Sequence, residues 1–240
     1  MLSKVLPFDV ATAEALDDPP EATLFPQEEE QIRDSVESRR REFTTVRWCA
    51  RQAMAELGLP PAAVVSGRRG VPLWAPDVVG SMTHCAGFRG AALARQSRYA
   101  SVGIDAEPNQ RLPQGVLESI GLPPELVWVY DLLAAAPQVR WDRLLFSLKE
   151  AVYKTWYPLT RRELDFDEAL ITVDPVGRGF RARISPAPHL RRPGDPQEFH
   201  GRWVLENGVL LSAIALSARG PAQRGRILPL GRSSLLYSTT

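Results

Sequence analysis

The chain has few of the residue types that build redox centres, thiolate metal sites or secreted disulfide scaffolds. Only two cysteines and three histidines occur among its 240 residues. Cys49 and Cys85 both stand in apolar contexts, as buried small hydrophobes do in a reducing compartment. The formal net charge is +1, so no global charge favours nucleic acid or a membrane surface as a partner.

Long hydrophobic runs and two common catalytic motifs are also missing. No window approaches the roughly eighteen uninterrupted apolar residues of a membrane span, and the N-terminus lacks a long apolar stretch, so we expect a cytoplasmic protein. Neither a G-x-S-x-G elbow nor a G-x-x-x-x-G-K-[ST] phosphate loop occurs. With 44% hydrophobic and 24% charged residues, the chain can still bury the core of an ordinary soluble enzyme.

The hydrophobic periodicity predicts helices and strands in a repeating order. Apolar residues recur at helical spacing from Ile32 through Val36 to Leu57, and Gly58 closes this run. Asn207-Gly208 is a two-residue hairpin signal. Further helices are predicted near 124–135 and 141–156, with strands near 80–84, 90–94, 101–106, 169–173, 180–184, 201–206 and 209–216.

A helix followed by three strands therefore occurs twice, which predicts an α+β fold. We expect two similar lobes that meet in the middle, each a small antiparallel sheet packed with helices. The predicted boundaries are 1–108 for the N-terminal lobe and 109–218 for the C-terminal lobe. Residues 219–240 lack apolar periodicity and are predicted to form a flexible tail.

Two charged segments carry the strongest chemical signal, SVGIDAEP at 101–108 and FSLKEAVYK at 146–154. The first is predicted as a strand, so Asp105 and Glu107 leave the same face. The second is predicted as an amphipathic helix in which Lys149 and Lys154 flank Glu150. Three acids without a cysteine or a nearby histidine form a hard oxygen site that suits magnesium. The lysines suggest that the ion is shared with an anionic, phosphorylated ligand.

Each segment alone also has an ordinary structural interpretation. A lone D-x-E on a strand is usually a solvated face. Glu150 and Lys154 form an i,i+4 pair worth ~0.3–0.5 kcal/mol on an exposed helix. The combination is more informative, because Gly103 allows a backbone to approach closely and Pro108 ends the strand just past the acids.

Basic residues are clustered locally. Arg40, Arg47 and Arg51 lie near one face of the long predicted helix, with Arg39 beside them, and form either a solvated face or a guanidinium fork for a phosphate. Arg68 and Arg69 lie in a glycine-flanked loop from which they could reach a nucleotide. His84 ends an apolar strand, where most histidines are satisfied core residues.

At this point the sequence resembles the 4'-phosphopantetheinyl transferases. Its two segments are similar to the family's signature pair, G-[IV]-D-x-E and [FW]-[SC]-x-K-E-[AS]-x-[YF]-K. The branch most resembled is that of the enterobactin-synthetase activators and their actinobacterial relatives. Further similar segments lie at 39–51, 70–94 and 140–160, and the resemblance covers roughly 20–215 in order.

The resemblance implies a pseudo-twofold fold with coenzyme A bound between the halves. It implies transfer of 4'-phosphopantetheine from coenzyme A to a serine of apo acyl or peptidyl carrier proteins, with release of adenosine 3',5'-bisphosphate. Such carriers serve polyketide, nonribosomal peptide or fatty acid synthases. Magnesium is the expected ion, with manganese as the alternative, and we expect a monomer.

The resemblance also implies roles for individual residues. Asp105, Glu107 and Glu150 are the expected metal ligands, and Glu150 and Lys154 the expected catalytic residues. Arg39, Arg47 and His84 are expected at the 3'-phosphate of coenzyme A, with Thr83 lining the pocket. The coenzyme-binding set completes as follows: Arg40, Arg68, Arg69, Asp105, Lys149 and Lys154. Lys149 is expected to contact pyrophosphate or face the carrier.

One departure and two partner surfaces complete these expectations. A lysine often precedes Gly67 in the family, whereas this chain has Ser66, so Arg68 or Arg69 is the expected substitute. Apolar residues at 112–124 and 157–162 are candidates for carrier docking. Two other functions stay open: a magnesium-dependent hydrolase of coenzyme A or nucleotide pyrophosphates, and a non-catalytic protein that binds coenzyme A or a carrier.

Overall fold

The structure is a computed structural model that describes residues 1–186 and 192–218. Its helices are α1 (Pro26–Gln31), α2 (Glu37–Glu56), α3 (Val116–Ile120), α4 (Pro123–Ala135) and α5 (Trp141–Thr160). Its strands are β1 (Ala11–Ala15), β2 (Val78–Cys85), β3 (Phe88–Arg95), β4 (Tyr99–Pro108), β5 (Ala169–Asp174), β6 (Gly179–Ile184), β7 (Glu198–Glu206) and β8 (Val209–Ser217). Within the described ranges, no helix has the length and apolarity that a membrane crossing requires.

The strands form two antiparallel sheets, which confirms the predicted α+β class. One sheet has three strands in the order β1-β3-β2, and the other has five in the order β4-β8-β7-β6-β5. Helix α2 packs on the first sheet through the small side chains Cys49, Ala50 and Ala53. Helix α5 packs on the second through larger ones, Leu144, Leu148, Val152 and Trp156. Each sheet thus buries one face against a long helix.

Strand β4 links the two halves of the chain. Its ladder partner is β8, with Asp105 opposite Ser212, so its backbone pairing lies in the five-stranded sheet. Two hydroxyls of β2 reach it from the other side: Ser81 Oγ accepts from the Ile104 amide at 3.1 Å, and Thr83 Oγ1 accepts from the Ala106 amide at 2.9 Å. The lobe boundary at 108 stays a prediction, and the predicted tail at 219–240 lies outside the described residues.

The helix predicted from Ile32 to Leu57 is wrong at its start. Helix α1 ends at Gln31, and α2 begins only after Val36, which is extended (φ −64°, ψ 155°) and 71% exposed. Val36 matches the helical spacing but has no core to pack against, so the spacing overstates the helix. The end is confirmed, because Gly58 has a positive φ of 67° that stops the run.

The predicted strands are present, and the sequence pattern missed β1. Asn207 and Gly208 both have positive φ, 51° and 76°, as a two-residue hairpin turn requires. Within residues 112–124, Leu112, Leu117 and Ile120 are buried in the core cluster that contains α5. These three residues of the expected docking surface are therefore not available to a carrier.

The contact between β4 and α5 depends on Gly103. A Cβ at this position would lie 2.2 Å from Thr155 Oγ1 and 2.4 Å from the Ala151 carbonyl oxygen. Gly103→Ala should therefore separate strand and helix and destabilise the fold by about 1–3 kcal/mol, measured by urea unfolding. Gly179→Ala is the matched strand control, because its Cβ would meet only a backbone oxygen at 3.8 Å. Equal stability of the two variants would contradict this account.

Candidate active site

A cleft of about 440 Å³ opens between α2, the loop at 66–72, β2 and α5. It gathers side chains from both halves of the chain, because β4 is in contact with β2 on one side and α5 on the other. The residues singled out from the sequence that line it are Arg39, Arg47, Ser66, Arg69, Thr83, His84, Asp105, Glu150 and Lys154. The structure thus brings most of the predicted site residues together.

At one end of the cleft, charged side chains of α5 face the acids of β4. Lys154 Nζ donates to Asp105 Oδ1 at 2.7 Å, and Thr83 Oγ1 lies 3.4 Å from the same oxygen. Arg143, in the first turn of α5, donates to Glu107 Oε2 at 3.0 Å. Glu150 stands on α5 between the two basic residues. Two ion pairs therefore flank a third acid.

The three acids Asp105, Glu107 and Glu150 carry more negative charge than the two nearby basic side chains neutralise. The pKa of Glu107 is raised to about 7, first by burial and then by the neighbouring Asp105, although Arg143 opposes both effects. Burial also raises the pKa of Glu150, which Lys154 opposes. Asp105 Oδ2 is buried and has no hydrogen-bond partner within the described residues. Each of these features favours an added cation at this end of the cleft.

The donor chemistry fits a hard divalent ion, although the side chains are not gathered around one point. Asp105 and Glu150 line the cleft, whereas Glu107 lies beside it and forms an ion pair with Arg143. Across residues 1–186 and 192–218, no group of three His, Cys, Asp or Glu side chains stands close enough to hold a metal. Carboxylate oxygens are the ligands that magnesium prefers, and the orphaned Asp105 oxygen is available for one.

On the cleft wall formed by α2 and β2, Arg39 and His84 form a polar pair. Arg39 Nη1 lies 2.8 Å from His84 Nε2, and Glu42 lies 3.6 Å from His84 Nδ1. Burial lowers the pKa of His84, Glu42 opposes that effect, and Arg39 adds to it. Two side chains that can donate to an anion thus meet at the cleft wall.

Arg47 lies deeper in the same wall and is almost fully buried. Its Nε donates to the Val64 carbonyl at 2.9 Å, and its Nη2 donates to Ser66 Oγ at 3.1 Å. Burial lowers the pKa of Arg47 to about 9, against the nearby Glu28. Ser66, the departure from the family pattern, therefore holds the guanidinium that forms this part of the cleft.

Arg69 reaches the cleft from the glycine-flanked loop, whereas Arg68 is absent from its lining. Arg69 adopts a positive φ of 61°, and its Nε lies 2.8 Å from Glu163, which follows α5. This surface ion pair spans the cleft mouth from one half of the chain to the other. Of the two arginines expected to compensate for Ser66, the structure places only Arg69 in position.

Two other predicted residues do not reach the cleft. Arg40 donates to the Ile32 carbonyl at 2.8 Å and lies in a separate depression with Glu29, Glu30 and Arg33. The structure therefore places Arg40 outside the lining of the cleft in which coenzyme A was expected.

Lys149 is a second correction. It is 3% exposed, pairs with Glu125 at 2.9 Å, and donates to the carbonyls of Phe166 and Ala169. It therefore cannot face a carrier, and its three donors are occupied inside the protein. Its helical position, about 100° from Glu150, points it away from the main cleft and towards a smaller cavity that it lines with Glu150 and Tyr153.

Sequence reasoning missed Arg143 and Tyr153. Both are on α5. Arg143 pairs with Glu107 beside the cleft and lies two helical turns before Glu150, a spacing that puts residues on one face. Tyr153 lines the main cleft and also a second cavity of about 200 Å³. That cavity shares Glu150 and Tyr153 with the cleft, and its other lining residues are Lys149, Leu164, Asp165, Phe166 and Ala169.

Comparison with protein families gives two matches that together span both halves. A model described as the 4'-phosphopantetheinyl transferase N-terminal domain matches residues 27–94. A model described as the 4'-phosphopantetheinyl transferase superfamily matches residues 101–204. The second match contains β4 and α5, and hence Asp105, Glu107, Glu150 and Lys154.

Three curated proteins are similar over nearly the whole chain. The 4'-phosphopantetheinyl transferase Svp of Streptomyces mobaraensis is 50% identical over 225 residues, which cover 91% of this chain and 90% of the relative. Npt of Nocardia iowensis is 46% identical, over 90% of this chain and 99% of the relative. PptT of Mycobacterium tuberculosis is 45% identical, over 90% and 98%. The chain therefore belongs to the 4'-phosphopantetheinyl transferase family and is a transferase enzyme.

Proposed function

We propose that the protein transfers 4'-phosphopantetheine from coenzyme A to a serine of an acyl or peptidyl carrier protein and releases adenosine 3',5'-bisphosphate. The observation that carries this proposal is one cleft lined by two groups of polar side chains. Arg39, Arg47, Arg69 and His84 form one group, and Asp105, Glu150 and Lys154 form the other. A ligand with two separate phosphate groups, such as coenzyme A, matches that division of charge.

The 3'-phosphate would lie beside Arg39 and His84. Arg39 is exposed and supplies a guanidinium that can bind a phosphate by two donors. Arg47 adds fixed positive charge from the cleft wall, since Val64 and Ser66 hold it in place. The ion pair of Arg69 with Glu163 is exposed on both sides, so a phosphate can compete for Arg69 at little cost.

The diphosphate would lie at the acidic end, beside Lys154. Asp105, Glu107 and Glu150 are the residues that would hold a magnesium ion there, with manganese as the alternative. When bound, such an ion supplies charge neutralisation for a diphosphate. Lys154 is 29% exposed and can exchange Asp105 for a phosphate oxygen, which releases Asp105 Oδ1 from its ion pair.

The reaction moves one phosphoryl bond and one proton. The carrier serine oxygen bonds to the phosphorus that bears the pantetheine arm, and the bond from that phosphorus to the bridging oxygen breaks. Glu150, whose pKa is raised by burial, is placed to accept the serine proton. Lys154 neutralises the charge that develops on the departing adenosine bisphosphate.

The carrier itself would approach the open side of the cleft. No serine in this chain stands in a familiar nucleophile motif, which supports a nucleophile supplied by the partner. Val127 and Tyr130 on α4 are exposed and are apolar positions that an acidic helical carrier could cover. A cytoplasmic, monomeric enzyme remains our expectation.

The direct test is to incubate the protein with coenzyme A, magnesium and apo carrier proteins and to weigh the carriers. A mass gain of one phosphopantetheine group supports the proposal, and no gain on any acyl or peptidyl carrier would sink it. Omitting the carrier separates the main alternative. A magnesium-dependent hydrolase would release 4'-phosphopantetheine from coenzyme A without a carrier, and a binding protein would release nothing in either case.

His84 provides a test of ligand orientation. A hydrogen bond to a charged group is worth about 1.5–3 kcal/mol, so His84→Ala should raise the KM for coenzyme A about tenfold or more. The KM for dephospho-coenzyme A should stay nearly unchanged, because that substrate has no 3'-phosphate. Arg40→Ala is the control, since Arg40 lies on α2 next to Arg39 but outside the cleft lining. Equal losses with both substrates would remove His84 from the 3'-phosphate site.

A further inference from the structure

Arg143 makes an unusually complete set of contacts at the end of β4. Its Nη1 donates to Glu107 Oε2 at 3.0 Å, its Nε to the Gln110 carbonyl at 3.1 Å, and its Nη2 to the Arg111 carbonyl at 3.0 Å. The side chain is only 16% exposed. All three nitrogens of the guanidinium are therefore used, and α5 is tied to the strand end and to the loop that follows it.

The other basic residue on this face is held quite differently. Lys154 is a single ammonium at 2.7 Å from Asp105 and is 29% exposed. It can leave Asp105 by rotating its own side chain. Arg143 cannot leave Glu107 without losing two carbonyl contacts as well, because its planar fork is rigid. The Lys154–Asp105 pair can therefore exchange partners easily, whereas the Arg143–Glu107 pair is fixed by the additional carbonyl contacts.

Glu107 needs such a fixed partner if it is to serve a cation. Strand alternation places it on the same side of β4 as Asp105, and the two acids repel each other in a buried setting. Arg143 contacts one oxygen of Glu107. The other oxygen has no hydrogen bond to any described residue, so it can accept a ligand.

We propose that Arg143 is a positioning residue for the divalent-cation site, which fixes Glu107 through Oε2 and leaves Oε1 for the ion. This inference rests on the proposed function for the identity of the site, and it concerns cation binding alone. Partners that orient a metal ligand typically contribute ~10–100-fold to metal affinity. Arg143 has that relation to Glu107, and no signature residue of the sequence provides it.

The test measures Mn²⁺ binding to the full chain by electron paramagnetic resonance, with and without coenzyme A and with no carrier present. Arg143→Met should weaken Mn²⁺ binding by at least ~10-fold. Arg140→Met is the matched control, because Arg140 lies at the same helix start and pairs with Asp142 instead of the acids. It should bind Mn²⁺ as the wild type does.

A second background separates positioning from general damage. In Glu107→Gln protein, the further change Arg143→Met should cost almost nothing in Mn²⁺ affinity, since the two residues act as one unit. An equal loss in both backgrounds would show that Arg143 only clamps the loop, and would overturn the proposal. So would wild-type Mn²⁺ affinity in Arg143→Met, or a wild-type protein that binds no Mn²⁺.

Two further outcomes are decisive. If Arg143→Met does not fold, Arg143→Lys takes its place, because one ammonium cannot reproduce the fork; unchanged Mn²⁺ affinity in that variant would contradict the proposal. If no carrier is ever modified but Mn²⁺ binding still depends on Arg143 through Glu107, the proposed function fails and this inference stands.

Discussion

Glu150→Gln should slow phosphopantetheine transfer by about 10²–10⁴-fold, the range expected when a general base is removed. Glutamine keeps the size of the side chain but can neither take the serine proton nor offer a negative charge to a cation. The measurement is the initial rate of carrier mass gain at saturating coenzyme A and magnesium. Glu150 lies between Arg143 and Lys154 on α5. Its side chain makes no hydrogen bond to a described residue, so the substitution removes its charge without breaking such a bond.

The variant should remain folded, which separates chemistry from stability. Burial raises the pKa of Glu150 above its value in the unfolded chain. The cost of ionising Glu150 in the folded protein therefore grows as the pH rises from the unfolded pKa to the folded pKa, and it lowers stability above that pH. Glu150→Gln should therefore unfold no earlier than the wild type at pH 7.5. Glu163→Gln is the matched control, an exposed glutamate at the cleft mouth, and should keep most activity. Transfer by Glu150→Gln within threefold of the wild type would remove Glu150 from the chemistry.

Lys149→Met, one residue away, should act on stability instead. It would leave Glu125 fully buried without its cation, and breaking a buried ion pair costs about 3–5 kcal/mol. For a chain of this size that corresponds to a Tm lower by ~6–20 °C. The substitution would also remove contacts between elements, because Lys149 on α5 donates to the carbonyls of Phe166 and Ala169, just before and at the start of β5. Thermal unfolding measures the loss of stability.

Two comparisons make this prediction specific. Glu125→Gln with Lys149→Met should lose less stability than the sum of the single changes, since no charge is left buried. The folded Lys149→Met enzyme, assayed well below its Tm, should keep a KM for coenzyme A within a few-fold of the wild type. A large rise in that KM with unchanged Tm would restore the original expectation of a pyrophosphate contact.

Much of the site could be predicted from local patterns in the sequence. The strand containing Asp105 and Glu107 and the helix containing Glu150 and Lys154 follow from alternation and helical spacing, and the cleft contains Asp105, Glu150 and Lys154. His84 and Arg39 follow from the family resemblance. The strand and the helix could be predicted because each depends on residues close together in sequence, where periodicity decides which way the side chains point.

The errors come from partners that are distant in sequence. Nothing local to Lys149 shows that Glu125 lies beside it, so a charge in a signature motif was expected to face the ligand. Val36 fits a helical spacing, but it has no core to pack against, and α2 begins only after it. Arg143 was missed because its importance lies in where Glu107 and the loop after β4 come to rest. In each case tertiary packing overrode a local pattern.

The position of β4 has a consequence for how the molecule can come apart. If the chain were divided after Pro108 and the pieces separated, β4 would lose its backbone hydrogen bonds to β8. If it were divided before Tyr99, β4 would lose the hydrogen bonds to Ser81 and Thr83 of β2. The strand that carries two acids of the site is thus also the seam of the molecule. Loss of either half would leave that strand with an open edge, so intact catalysis and cooperative unfolding share one structural element.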